Sequence, residues 1–179
     1  MLTAMKTCVV IAALLIALGG CNGRIPNSVT ADEYEVYAEW LKVHFAKEEP
    51  SNLYISSRTF VFDPLKKTNG CRKDMPWPLI KQLHAPGEAE YRLPDSYSPA
   101  KLRIPWNYKM VDDWRLVSEE SGSYRLIAFS RIAFDANHKK AFFAASDACG
   151  GLCGQGGAVY AHKQNGAWLF EDGGCNWLY

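Results

Sequence analysis

Gly157-Ala-Val-Tyr-Ala-His-Lys163, Gln164-Asn165-Gly166 and Ala167-Trp-Leu-Phe170 read as two strands folded back on each other, and this stretch decides the class of the fold. Asn-Gly supplies the positive φ angles that a tight hairpin turn demands. Upstream, Tyr124 to Phe134 and Lys140 to Ser146 are strand-like runs joined by Asp135-Ala-Asn-His-Lys139. Downstream, Cys175 to Tyr179 is expected to add a last short strand. Consecutive strands with short links predict an antiparallel meander, because parallel pairing needs long crossovers.

The preceding half supplies the helix. Thr30-Ala-Asp-Glu33 has the pattern of a capping box, and Tyr34, Tyr37, Ala38, Leu41 and Phe45 follow at helical spacing. An amphipathic helix over 31–48, ended by Pro50, is the expectation. Trp40 and His44 fall one turn apart beside the apolar stripe, and His44 reads as a packed or half-exposed histidine. Leu53 to Phe62 reads as a strand and Pro76 to His84 as a short helix. Glu88 to Tyr108, with Pro94, Pro99 and Pro105, reads as a long ordered loop packed by Tyr91, Tyr97 and Trp106, a candidate binding edge. The predicted class is α+β, an N-terminal helix packed on an antiparallel β-meander in one small domain over 31–179. A cystatin-like and an NTF2-like arrangement both satisfy that description.

The first thirty residues are read separately. Lys6 precedes the apolar run Val9 to Leu18, which is too short to span a bilayer core of about 20 helical residues. It ends in Leu18-Gly19-Gly20-Cys21, which resembles the bacterial lipoprotein processing box. The resemblance implies a signal peptide at 1–20, a lipid on Cys21 and a polar tether at 21–30. Asn22 rather than Asp after the cysteine implies an outer-membrane anchor facing the periplasm. An ordinary signal peptide with an incidental cysteine is the plainer alternative. With 20 basic and 19 acidic residues, the chain lacks the basic balance of a nucleic-acid binder. Its 48% hydrophobic and 13% aromatic content is that of a folded domain.

Of six cysteines, Cys8 would leave with the signal and Cys21 would carry the lipid. Cys71, Cys149, Cys153 and Cys175 remain, and three pairings are open in an oxidising compartment. Gly150 and Gly151 favour closing Cys149 on Cys153, which leaves Cys71 with Cys175. A redox pair at Cys149 and Cys153 is the sharper alternative, although known redox motifs use two intervening residues rather than three. A zinc site recruiting His138 and His162 to those thiols is a further one. No metal or cofactor is expected. Gly154-Gln-Gly156-Gly157 is weighed as a backbone nest for an anion, and with His162 as a binding loop, against a plain close approach of backbones. Cysteine-nucleophile catalysis would pair Cys149 or Cys153 with His138 or His162, oriented by Asp147. Asp112-Asp113 and Glu119-Glu120 read as solvated turn charges. Trp77, Trp106, Trp114, Trp168 and Trp177 read as core filling, or as a peptide or glycan groove if several share an exposed face.

Phe129-Ser-Arg-Ile-Ala-Phe134, Ala141, Cys149-Gly-Gly-Leu-Cys153-Gly-Gln-Gly156, Gly166-Ala-Trp168 and Trp177 together resemble a group of uncharacterised bacterial envelope proteins. The resemblance implies a secreted or lipid-anchored domain with a C-terminal antiparallel sheet, and carries no activity. Cys71 and Cys175 lie outside that pattern, which supports pairing them with each other. The expected function is therefore a lipid-anchored, non-enzymatic envelope module for an unknown protein or glycan partner. A thiol-based envelope enzyme is the alternative.

Overall fold

Asn165 and Gly166 take φ of +52° and +85°, so the turn forms as its dipeptide requires. The strands it joins are longer than expected: β6 runs Gly154–Gln164 and β7 Ala167–Leu178, absorbing the separate last strand. The computed structural model describes residues 29–62, 76–83, 102–112, 117, 124–150 and 153–178. Residues 1–20, expected to be a signal peptide, and Cys21, Cys71, Tyr91, Tyr97, Asp113, Trp114, Glu119 and Glu120 lie outside the described residues. In chain order the remaining elements are α1 (Ala31–His44), β1 (Leu53–Ser56), α2 (Trp77–Leu83), β2 (Tyr108–Val111), β3 (Arg125–Phe129), β4 (Ala133–Phe134) and β5 (Lys140–Ala148).

Among the described residues the sheet has seven strands in the order β2-β1-β3-β5-β6-β7, with β4 also on β5. β3, β5, β6 and β7 form the expected antiparallel run. β1 instead lies parallel to both β2 and β3, so the sheet is mixed and not a strict meander. The long stretches separating β1 from β2 and β3 are what permit parallel pairing. β2 itself escapes a reading by periodicity because it is short and follows a proline-rich stretch.

Both faces of the sheet are covered. α1 lies on one face over Ile127, Phe129, Ala141, Phe143, Ala145, Val159, Ala161 and Trp168. α2 and Phe62 lie on the other over Phe142, Ala144 and Ala158. β5 sits between them and is buried continuously from Ala141 to Asp147, which explains its nearly unbroken apolar sequence.

The strand expected over Leu53 to Phe62 ends at Ser56, and two other expected elements break early for visible reasons. The helix ends at His44 rather than 48, where Ala46 N–H bonds Val43 O and Glu48 N–H bonds Phe45 O in a tighter winding. The run Tyr124 to Phe134 splits at Ser130–Ile132. Ser130 Oγ there accepts from Ala144 N–H at 2.8 Å and donates to Arg131 O at 2.8 Å. Arg131 turns inward and meets Glu33 Oε1 through Nε at 2.8 Å, both side chains being at most 3% exposed. The capping-box glutamate thus has a second partner: its carboxylate also takes Thr30 N–H at 2.7 Å and Ile132 N–H at 3.1 Å.

Candidate functional site

α1 has 14 residues, about 21 Å of helix, whereas β6 and β7 extend roughly 37–41 Å. A helix of that length leaves part of the sheet bare. Beyond its C-terminal turn a groove of about 860 Å³ opens over the ends of β5, β6 and β7. By strand alternation the floor carries Ala145, Asp147, Gln155, Gly157, Val159, Phe170, Asp172, Asn176 and Leu178, and Trp40 and His44 of α1 form the wall.

The register of β7 here is set by close packing and a bulge. The pairing slips between Gly156 and Ala158, and again between Ala158 and Val159. Gly174 and Cys175 take φ of +72° and +55° at that point. Asp172 Oδ1 accepts Gly174 N–H at 2.7 Å, and Asn176 Nδ2 donates to Asp172 Oδ2 at 3.2 Å. A Cβ on Gly156 would overlap the Trp177 ring, and one on Gly157 would overlap Asn176 Oδ1. The run from Gly154 to Gly157 is therefore extended strand, and it is side chains rather than a second backbone that lie closest over Gly156 and Gly157.

On the groove wall, His44 stacks on Trp40 with ring centroids 4.4 Å apart. Its Nε2 lies 2.7 Å from Asp147 Oδ2. Arg125 engages the same carboxylate through both Nε, at 2.8 Å, and its terminal nitrogen. Asp147 is 3% exposed, and burial acts to raise its pKa. The hydrogen bonds from Arg125 and His44, with their charges, outweigh that burial and hold the carboxyl below the ordinary range. The guanidinium rises in turn, chiefly through the bond to Asp147. Arg125 also lies 5.1 Å over the Phe45 ring, which fixes the cluster against the helix end.

A depressed native pKa contributes stability above the unfolded value, near 4, and that stability is lost as pH falls through the native value. The wild-type melting temperature should therefore fall steeply below about pH 4. Asp147→Asn should flatten that acid limb and cost about 1–2 kcal/mol at neutral pH, because Arg125 and His44 lose a charged acceptor. Thermal melts of both proteins across the acid range check this.

The sequence-derived candidates are only partly brought together. Cys149 and Cys153 are disulfide-bonded, with Cα atoms 5.1 Å apart and Cys149 N–H donating to Cys153 O at 2.8 Å. They close one end of the β5–β6 hairpin. His162 pairs with Lys140 at the other end, about 27 Å away along the strand. His138 joins Asp32 at 2.5 Å and stacks on Phe134, at that far end too. The four-ligand zinc set and the cysteine–histidine pair are thus not assembled. Among the described residues no three His, Cys, Asp or Glu side chains form a metal-sized cluster.

Of the expected binding loop, Gly156 and Gly157 line the groove, whereas His162 sits beside Glu171 at 3.5 Å. Gly154 opens β6 and is not among the lining residues. Asp147 does orient a histidine, but the histidine is His44. Trp168 is 7% exposed and Trp77 50%, on opposite faces of the sheet, so the tryptophans do not form one surface. Asp112 accepts from Ser57 Oγ instead of standing alone in a turn. Cys175 is 2% exposed and disulfide-bonded to a partner outside the described residues. No helix among the described residues is long and apolar enough to cross a membrane. Compared with family models, curated proteins and solved structures, the chain finds no match, so its reading rests on the groove and its own residues.

Proposed function

We propose that this chain is a lipid-anchored bacterial envelope protein, tethered through Cys21, whose α+β domain binds a protein or glycan partner without catalysing a reaction. The observation that carries the binding role is the groove left where α1 stops short of β6 and β7. The buried Asp147, held by a half-buried Arg125, keeps its histidine wall in place, and the β7 bulge shapes its floor. Rigid side chains aimed at an open recess suit recognition. The lipobox-like Leu18 to Cys21 supports the anchor, Asn22 supports an outer-membrane position facing the periplasm, and a closed Cys149–Cys153 pair suits an oxidising compartment. A helix laid on a mostly antiparallel sheet is compatible with cystatin-like and NTF2-like plans, and a plan alone assigns no ligand. The thiol-enzyme reading draws on the exposed Cys153, yet His138 and His162 stand at the wrong end of the hairpin to serve it.

The test is photocrosslinking in intact envelopes. A photoreactive residue at Leu178, on the groove and 84% exposed, should capture one partner. The same residue at Leu169, 42% exposed on the opposite face, should not. Cys21→Ser should release the protein from the membrane fraction and remove the crosslink. Equal capture from both positions, or from neither, overturns the reading.

A further inference from the structure

We infer that the Cys149–Cys153 bridge is a redox-operated clip on the groove, closed when oxidised and opened by an external dithiol. Its control of partner binding rests on the role proposed above for the groove, whereas the chemistry of the bridge does not.

Placement carries the inference. Cys149 N–H donates to Cys153 O and continues the β5–β6 ladder past Ala148 and Gly154. By strand alternation the two cysteines fall on the face that carries Asp147 and Gln155. Those two residues pair with each other, while Asp147 also pairs with Ile127 of β3 and Gln155 with Leu178 of β7. One row thus crosses from β3 to β7 about 7 Å inside the bridge, and all of it but Ile127 lines the groove. Asp147 in turn holds His44, the groove wall, at 2.7 Å. β6 contributes little of its own to this end, since Gly154, Gly156 and Gly157 bring no side chains.

Access separates this bridge from the one at Cys175. Cys153 is exposed and Cys149 half-buried, and neither belongs to a core cluster. Gly150 beside them stands clear, because a Cβ there would meet nothing within 4 Å. Cys175 is 2% exposed within the α2-side core. Exposed disulfides are the labile ones, and shielded ones resist reduction.

The pair is a substrate of exchange rather than its catalyst. Cys149 follows the end of β5 and Cys153 precedes β6, so neither has the helix N-terminus that activates a redox nucleophile. A thiolate of the dithiol attacks Cys153 Sγ, and Cys149 leaves as a thiolate that takes up a proton. The second thiolate of the dithiol then attacks the first sulfur and expels Cys153. Two electrons and two protons pass to the pair, and the dithiol ends as a disulfide.

The test treats the full-length protein in detergent with dithiothreitol, without denaturant, and reads alkylated mass and backbone hydrogen exchange. Thiols at Cys149 and Cys153 should form well before any at Cys175. Exchange in the peptide spanning 145–157 should then quicken about tenfold, while that spanning 160–169 stays unchanged. Reoxidation should reverse the change. The double variant Cys149→Ser with Cys153→Ser should exchange like the reduced protein and ignore dithiothreitol. In intact envelopes, dithiothreitol should lower capture from the photoreactive Leu178 position severalfold, and should not alter the already low capture by the double variant. Equal reduction of Cys175, or unchanged exchange after selective reduction, overturns the clip. Quickened exchange with undiminished capture overturns its control of the groove. No capture even before reduction overturns the binding role instead, and hydrogen exchange then decides the clip by itself.

Discussion

Replacing Arg131 with methionine should destabilise the domain by about 3–5 kcal/mol, the usual result of stranding one half of a buried ion pair. Glu33 is 1% exposed and would keep only the Thr30 and Ile132 amides, at 2.7 and 3.1 Å. At roughly 2–4 °C per kcal/mol for a domain of this size, the melting temperature should drop by about 6–20 °C. Burial makes the loss nearly independent of salt, unlike that of an exposed pair. The double variant Glu33→Met with Arg131→Met should recover part of the loss, because no charge is then left in the core. About 1–3 kcal/mol should remain missing, since two backbone N–H groups lose their acceptor. A single-variant cost below about 1 kcal/mol would mean that water reaches the pair. Urea melts of the four proteins in this cycle decide the matter.

The consequence reaches beyond stability. Glu33 opens α1 and Arg131 interrupts the strand run after β3, so the pair fixes where the helix starts on the sheet. Tyr37 reinforces that docking, donating to Ser130 O at 2.6 Å and stacking on Phe129 at 4.3 Å between centroids. Burial, then the nearby Glu33 carboxylate, pushes the Tyr37 hydroxyl well above its ordinary pKa, so it remains a donor. Fixing the start of a 14-residue helix also fixes where it ends, and its end is the groove wall.

What was legible in the sequence follows the range of the interactions. Thr30 with Glu33 announces a helix start, and Asn165-Gly166 announces a hairpin, because both act within a few residues. The second role of Glu33 depends on a partner 98 residues away, and no local pattern encodes that. The only available signal was a charged Arg131 inside the apolar run Ile127 to Phe134, which a strand reading passes over. His44 and Asp147 are 103 residues apart and meet for the same long-range reason. The parallel place of β1 was hidden because a four-residue strand has too few alternations to declare its neighbours. The groove was unreadable in advance, since it arises from the mismatch between one helix's length and two strands' lengths.

Cys175→Ser should cost nearly as much as breaking the Arg131 pair. Cys175 is buried in the α2-side core and disulfide-bonded, while its proposed partner Cys71 lies outside the described residues. A bridge from Cys71 would close a loop of roughly 105 residues, worth about 4.7 kcal/mol on the chain-entropy model. The five-residue Cys149–Cys153 loop is worth about 2 kcal/mol on the same model. Cys175→Ser and Cys71→Ser should therefore lower the melting temperature alike, by about 8–20 °C, and the double variant should fall no further because the two residues share one bond. Cys149→Ser should lower it by less than half as much and add to either of them. The long bridge would also hold β7 at its bulge, where Gly174 and Cys175 both take positive φ beside Asn176 on the groove floor. Losing it should accordingly loosen the groove as well as the fold, so Cys175→Ser should reduce capture from a photoreactive residue at Leu178 at a temperature where the variant is still folded. Unequal losses in Cys71→Ser and Cys175→Ser, or further loss in their double variant, would assign Cys175 a different partner, which non-reducing peptide mapping would then name.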